Sequence, residues 1–329
     1  MSLRSPGFVA LIVVALLLLT PEPALAWGPA THAQLGLEVL RSLNLFPSSI
    51  AALLTSYPVD FLYGNLAADI SMAKKYAAAG RHCHHWHVAE EIYEEAGDDP
   101  QLRAAMLGYL CHLAADVLAH NCFVPRQLLL TSSSKALGHS YWEHRMDADL
   151  GPAPTTLARW VVTEADHART DDLFRRVLSD TLFSFGTNRR IFRGMIRISG
   201  HEGWQAIFDS LVDRSRWDLV PEEVDMYHRY AFELVAGFLS EGSSSAAVRQ
   251  DPIGDAALGE AKRIRRRVLM AGSWQDSEAL RRTADYHFPK PSGEVKYWER
   301  RGETGDLSDR LLEEAHFAIG RPTSRLASS

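Results

Sequence analysis

The chain has 329 residues, 46% of them hydrophobic, enough for one large domain or two ordinary ones with a sizeable core. Its formal net charge of −6 gives no general attraction to nucleic acid or to anionic membranes. Three cysteines, Cys83, Cys111 and Cys122, are an odd number and too sparse for a disulfide framework. They predict one optional bridge or buried thiols, and the lack of a Cys-x-x-Cys pair argues against a thiolate metal site.

The chain opens with the basic stretch MSLR, the apolar run GFVALIVVALLLLT and then PEPALA, whose Ala24-x-Ala26 ending is a signal-peptidase pattern. Residues 1–26 are therefore expected to be a signal peptide, cleaved after Ala26, leaving Trp27 first in a secreted or periplasmic protein. The apolar run is short for a membrane anchor. Next, ATHAQLGLEVLRSL places apolar residues three and four apart, a helix period. QLRAAMLGYLCHLAADVLAHNCF is almost wholly apolar, which predicts a long buried helix. PEEVDMYHRYAFELVAGFLSEG carries Pro221, Glu222 and Glu223 at a helix start and Gly242 at its end. No alternating strands and no internal repeat are found. The expected fold is all-α, a multi-helix bundle with a buried multinuclear metal site at one end.

The Gly/Ser-rich stretch EGSSSAAV sets a boundary near residue 245. Residues 27–245 form the main helical domain in this reading, and 246–329 a polar helical or partly disordered extension. Within the extension, KRIRRR at 262–267 reads as a solvated helix face, since acidic residues surround it.

The chemistry is concentrated early. Nine of the fourteen histidines lie between His32 and His144, and neutral imidazole is the commonest metal ligand. In HLAADVLAHN, His112, Asp116 and His120 fall at i, i+4 and i+8, on one helix face. A carboxylate buried there without a partner costs several kcal/mol, which a cation would offset. GHSYWEHRMD repeats the spacing with His139 and Glu143, a two-ligand clamp suited to Zn²⁺. RHCHHWH offers His82, His84, His85 and His87, of which one or two can serve one site. GNLAADI contributes the isolated acid Asp69, and WGPATH contributes His32. A ligand set of imidazole and carboxylate favours zinc over Mn²⁺ or Fe²⁺. The donors exceed one tetrahedral site, so two or three ions are expected. Clustered ions suit hydrolysis of a phosphate ester, and no G-x-S-x-G elbow supports a serine hydrolase.

Taken in order, Trp27, His32, Asp69, His84, His112, Asp116, His120, His139 and Glu143 resemble the motif series of the zinc-dependent phospholipase C family, which is related to the S1/P1 nucleases. The resemblance covers residues 27–145 by motif. It implies an all-helical phosphodiesterase in which zinc-activated water attacks phosphorus in a phospholipid headgroup and diacylglycerol leaves. It also implies that the α-amino group and carbonyl of Trp27, freed by signal removal, join His32 and Asp116 on one zinc. Asp69, His84, His112 and Asp116 would hold a second, with Asp116 bridging, and His120, His139 and Glu143 a third. Asp69 is then the catalytic residue that orients or deprotonates water. The expected partners are a phospholipid substrate and a transient contact with the membrane surface, for a monomeric enzyme. Two points depart from the family pattern. Three residues separate Asp116 from His120 where the bacterial phospholipases have five, which leaves room for the helix to continue and place His120 one further turn along the same face. His82 or His85 could also take the place given to His84. The related nucleases share the Trp-Gly-x-x-x-His opening, but their last motif usually ends in Asp, and Glu143 leans away from them. A nuclease or 3′-nucleotidase, which would take nucleic acid as partner, and a non-catalytic metal-binding secreted protein remain the alternatives.

Overall fold

A computed structural model of the chain describes residues 27–72, 74–131, 135–199, 219–272, 276–302 and 305–320. The expected signal peptide, residues 1–26, lies outside them. Among the described residues the regular structure is entirely helical, so the all-α expectation holds.

Four helices frame the interior: α1 (Pro29–Arg41), α2 (Ser48–Ser56), α3 (Pro58–Ala67) and α4 (Trp86–Glu95) precede the central α5 (Pro100–Leu118). Helix α5 starts where Asp99 accepts hydrogen bonds from the backbone N–H groups of Gln101 and Leu102, with Pro100 at the first helical position. Its residues from Ala104 to Leu118 are all buried, as their apolar run predicts, because α3, α4 and a later helix, α11 (Pro221–Glu241), surround it. The run Pro100–Thr131 is long and apolar enough to cross a bilayer, but 94% of its apolar window is buried inside the protein. Here it is a core helix.

Beyond α5 the chain makes a π-helical turn (Ala119–Phe123) and continues into α6 (Val124–Thr131) and α7 (Lys135–Asp149). The helix therefore does continue past Asp116 through His120, but as a π-turn rather than regular α-helix. The wider turn is held by a distant loop: His120 Nδ1 donates to Pro252 O at 2.6 Å, and Asn121 Nδ2 donates to Asp251 O at 2.7 Å. Such single-turn π-bulges gather at functional positions.

Helices α8 (Pro152–Thr163), α9 (Ala168–Val177) and α10 (Phe185–Ser199) close one side. Trp27, Phe61, Tyr109, Phe123, Trp142, Phe174, Tyr227 and Phe232 are among the largest fully buried side chains of one continuous core. Within it Phe123 is stacked on Trp27 at 4.9 Å and edge-on to Tyr227 at 4.9 Å.

In the segment after residue 245, α12 (Asp255–Met270) and α13 (Ser277–His287) pack on α6 around a small second core of Leu129, Ala261, Ile264, Ala284 and Phe288. After the short α14 (Lys296–Glu299), α15 (Asp306–Gly320) lies against α8 and α1 and places Leu311 and Ala315 in the main core. The basic run 262–267 lies on α12, where Arg263 pairs with Glu260 and Arg265 donates to Leu129 O.

The contact that positions everything else is α3 against α5. A Cβ on Gly64 would stand 1.8 Å from Ala105 O, and one on Gly108 would stand 2.0 Å from Phe61 O. The two helices therefore touch backbone to backbone. Gly108→Ala is expected to lower unfolding stability by about 1–3 kcal/mol through overpacking, read as a lower urea midpoint. An unchanged midpoint would show that the two helices are not in backbone contact.

Candidate metal centre

Five of the residues singled out in the sequence converge where α1, the end of α3, the start of α4 and the middle of α5 meet. His112 and Asp116 project from α5, with His112 Nε2 3.2 Å from Asp116 Oδ2. His84, immediately before α4, places Nε2 3.2 Å from Asp116 Oδ2 and 3.3 Å from Asp69 Oδ1. His32, in the first turn of α1, places Nε2 3.4 Å from Asp116 Oδ1, and its ring stacks on His112 at 3.7 Å. All five are buried. The donor atoms of His84, His112 and Asp116 lie within 4.8 Å of one another, as do those of His32, Asp69 and His112.

The backbone sets the tautomer of His112. Asn65 stands in the last turn of α3, where carbonyls lack intrahelical partners, and Asn65 O accepts the His112 Nδ1–H at 2.7 Å. His112 Nε2 is then a lone-pair atom aimed at the acids. It faces His84 Nε2 at 3.1 Å. Neither oxygen of Asp116 and neither ring nitrogen of His32 has a hydrogen-bond partner. Buried polar atoms left this way are costly, and a cation beside Asp116 would answer its two oxygens and His32 Nε2, which lies 3.4 Å from Oδ1. The imidazole and carboxylate donors fit zinc.

The electrostatics are graded. Burial opposes the charge on Asp116, but His112, His32 and His84 overcome it and hold its carboxyl well below the usual carboxylate range. Burial also opposes the charge on Asp69, and Lys74, His112 and His84 overcome it in the same direction. His32 is lowered to about 4 by burial and then by His112. Burial and the Lys74 charge press His84 down, yet Cys83, Asp116 and Asp69 raise it well above its ordinary value.

The alternatives to His84 point elsewhere. His82 Nδ1 accepts the backbone N–H of His84 at 3.1 Å, which occupies its lone pair, although His82, Cys83 and His84 also lie within 4.8 Å of one another. His85 is half-buried, edge-on to His82 at 5.8 Å and stacked on His87 at 5.1 Å. His87 Nε2 donates to Gly80 O.

Trp27 stands just before α1, with Nε1 donating to Ala115 O at 3.1 Å, one residue from Asp116. His120 and Glu143 are buried, but among the described residues neither enters a group of three converging donors. Burial and the charges of Asp69 and Asp116 push the Glu143 carboxyl well above its ordinary range, so it lies within electrostatic reach of the centre. The side chain of His139 lies outside the described residues. The three cysteines are free thiols.

Two residues near the centre escaped the sequence reading. Lys74 is buried with Nζ 2.6 Å from Asp69 Oδ1 and 3.2 Å from His84 Nε2. Asp147, on α7, accepts from the backbone N–H groups of Ala30 and Thr31 at 3.0 and 2.9 Å and from Thr31 Oγ1 at 2.7 Å. It caps α1 from outside and orients His32. A Cβ on Gly28 would stand 2.1 Å from this carboxylate, which explains the Trp-Gly pair in physical terms. The spacing His139, Glu143, Asp147 was the available signal for Asp147. Lys74 had none.

Residues 31–182 match the family model described as zinc dependent phospholipase C. The matched stretch contains every expected ligand except Trp27. No curated protein and no solved structure matches the chain significantly.

Zinc is expected to stabilise the fold by about 2.7 kcal/mol at free zinc one hundred times its Kd, seen as a Tm that falls on chelation. Asp116→Ala should abolish that difference. Since the bound metal displaces the proton that His84 favours, affinity should fall as pH drops from about 8 to about 6, and loading near pH 7 should release a proton. Calorimetry in buffers of different ionisation heat measures the release, and zinc binding without it would contradict the assignment of His84.

Proposed function

Because residues 31–182 carry a zinc-dependent phospholipase C domain, we propose that the chain is an exported phosphodiesterase that hydrolyses phospholipid headgroups. The observation that carries this reading is Asp116 buried among His32, His84 and His112 within that domain. Its two oxygens face different imidazoles, which suits a carboxylate bridging two ions. In this reading His84, His112, Asp69 and Asp116 would hold one ion, His32 and Asp116 with the α-amino group of Trp27 would hold another, and His120, His139 and Glu143 would serve a third. Zinc, when bound, supplies Lewis acidity toward the phosphoryl oxygens and makes water more acidic.

The protein's own groups have separate tasks. Asp69, held ionised by Lys74, orients the attacking water and accepts its proton. Lys74 brings a positive charge to 2.6 Å from that carboxylate, where it also offsets the charge of a phosphodiester. A P–O bond forms to water, the P–O bond to diacylglycerol breaks, and a proton passes to the departing oxygen. Burial of the cluster excludes bulk water. The substrate implies transient contact with a membrane surface, and the five converging donors all come from one chain, in keeping with a monomer. Trp27 as a ligand requires export and cleavage after Ala26 into the periplasm or medium.

The direct test uses zinc-loaded protein beginning at Trp27, assayed on phosphatidylcholine and on single-stranded DNA. Release of phosphocholine is the expected result. Cleavage of DNA alone would replace this reading with a nuclease, and tight zinc binding without turnover of either would indicate metal sequestration. Lys74→Met is expected to lower kcat by about 10²–10³ with zinc content kept. Wild-type kcat in that variant would remove Lys74 from the mechanism.

A further inference from the structure

Cys83 is the nearest neighbour of the centre that the proposed chemistry does not use. It is buried, and its Sγ lies 3.2 Å from His84 Nδ1, on the side of the ring opposite the acids. The other group at that nitrogen is the Lys74 ammonium, 3.4 Å away. An ammonium has only donors, whereas sulfur can accept. If His84 Nε2 is to offer a lone pair toward Asp116, Asp69 and His112, the ring proton must sit on Nδ1, and sulfur is the acceptor within reach. The position of Cys83 is itself fixed. Tyr109 Oη donates to Cys83 O at 2.7 Å, and Tyr109 is a buried residue of α5 three positions before His112. The sulfur is thereby tied to the helix that carries His112 and Asp116.

We propose that Cys83 is a positioning residue for the metal centre: its sulfur accepts the Nδ1–H of His84, fixing the tautomer and ring orientation that present Nε2 to the ion. The inference rests on the reading of this cluster as a zinc site, but not on the reaction or the substrate. Ligating histidines generally donate their second ring N–H to a carboxylate, a backbone carbonyl or water. His112 follows that habit through Asn65 O, and His84 uses a thiol sulfur instead. The role also explains a cysteine beside a ligand set otherwise made of nitrogen and oxygen.

The test is zinc affinity, measured by competition with a chromophoric chelator on the whole mature protein. Cys83→Ala should weaken binding by about 10- to 100-fold, the usual cost of removing such a partner, and Cys83→Ser, which keeps an acceptor, should recover part of it. Affinity unchanged in Cys83→Ala would overturn the proposal. A second measurement needs no variant. Nitrogen-15 spectra of the zinc-loaded wild type should show His84 protonated at Nδ1 and metal-bound at Nε2, and the opposite tautomer would refute the role. Zinc binding with the predicted tautomer but no phospholipid turnover would sink the proposed function alone. Turnover with normal affinity in Cys83→Ala would sink this inference alone.

Discussion

Everything in this structure is arranged around one electrostatic problem, the burial of Asp116 among three imidazoles. A carboxylate removed from water costs several kcal/mol unless charge or hydrogen bonds replace the solvent. Here neither oxygen has a hydrogen bond, and three ring nitrogens stand at 3.2–3.4 Å instead. His112 Nε2 and His84 Nε2 also face each other at 3.1 Å, while His112 spends its proton on Asn65. A cation among these donors would supply positive charge directly to the Asp116 oxygens. The packing serves this arrangement: the glycine contact between α3 and α5 carries the Asn65 carbonyl to His112, and the Asp147 cap sets the first turn of α1, from which His32 projects.

The same burial separates the roles of chemically similar groups. Among the acids, Asp69 is held charged by a buried lysine, while Glu143 is pushed toward its neutral form by burial and by the two carboxylates nearby. Among the imidazoles, burial and His112 lower His32, while Cys83, Asp116 and Asp69 raise His84 above its ordinary value. Burial and neighbouring charge thus drive chemically similar groups in opposite directions within one pocket.

Much of this was legible in the sequence where a period carries the information. The i,i+4 step from His112 to Asp116 survives as a contact because α5 is a regular helix there, and the wholly apolar run predicted its burial. The reading weakened where distant chain supplies the geometry. The π-turn at His120 depends on carbonyls of Asp251 and Pro252 more than a hundred residues away, and no helical period reveals it. Asn65 acts through a backbone carbonyl, so its side-chain identity gave no clue. Lys74 carries no periodic or motif signal, and its burial against Asp69 and His84 appears only in the fold. Helix α15 read as a polar appendage because its core-facing residues Leu307, Leu311, Leu312 and Ala315 occupy a narrow stripe.

The central claim is that the cluster around Asp116 is a zinc site built from nitrogen and oxygen. Zinc-edge X-ray absorption on the loaded, mature protein tests it most directly. The account predicts a first shell of imidazole nitrogen and carboxylate oxygen at about 2.0–2.2 Å, lost in Asp116→Ala. A sulfur shell at about 2.3 Å, or a shell indifferent to that substitution, would contradict it.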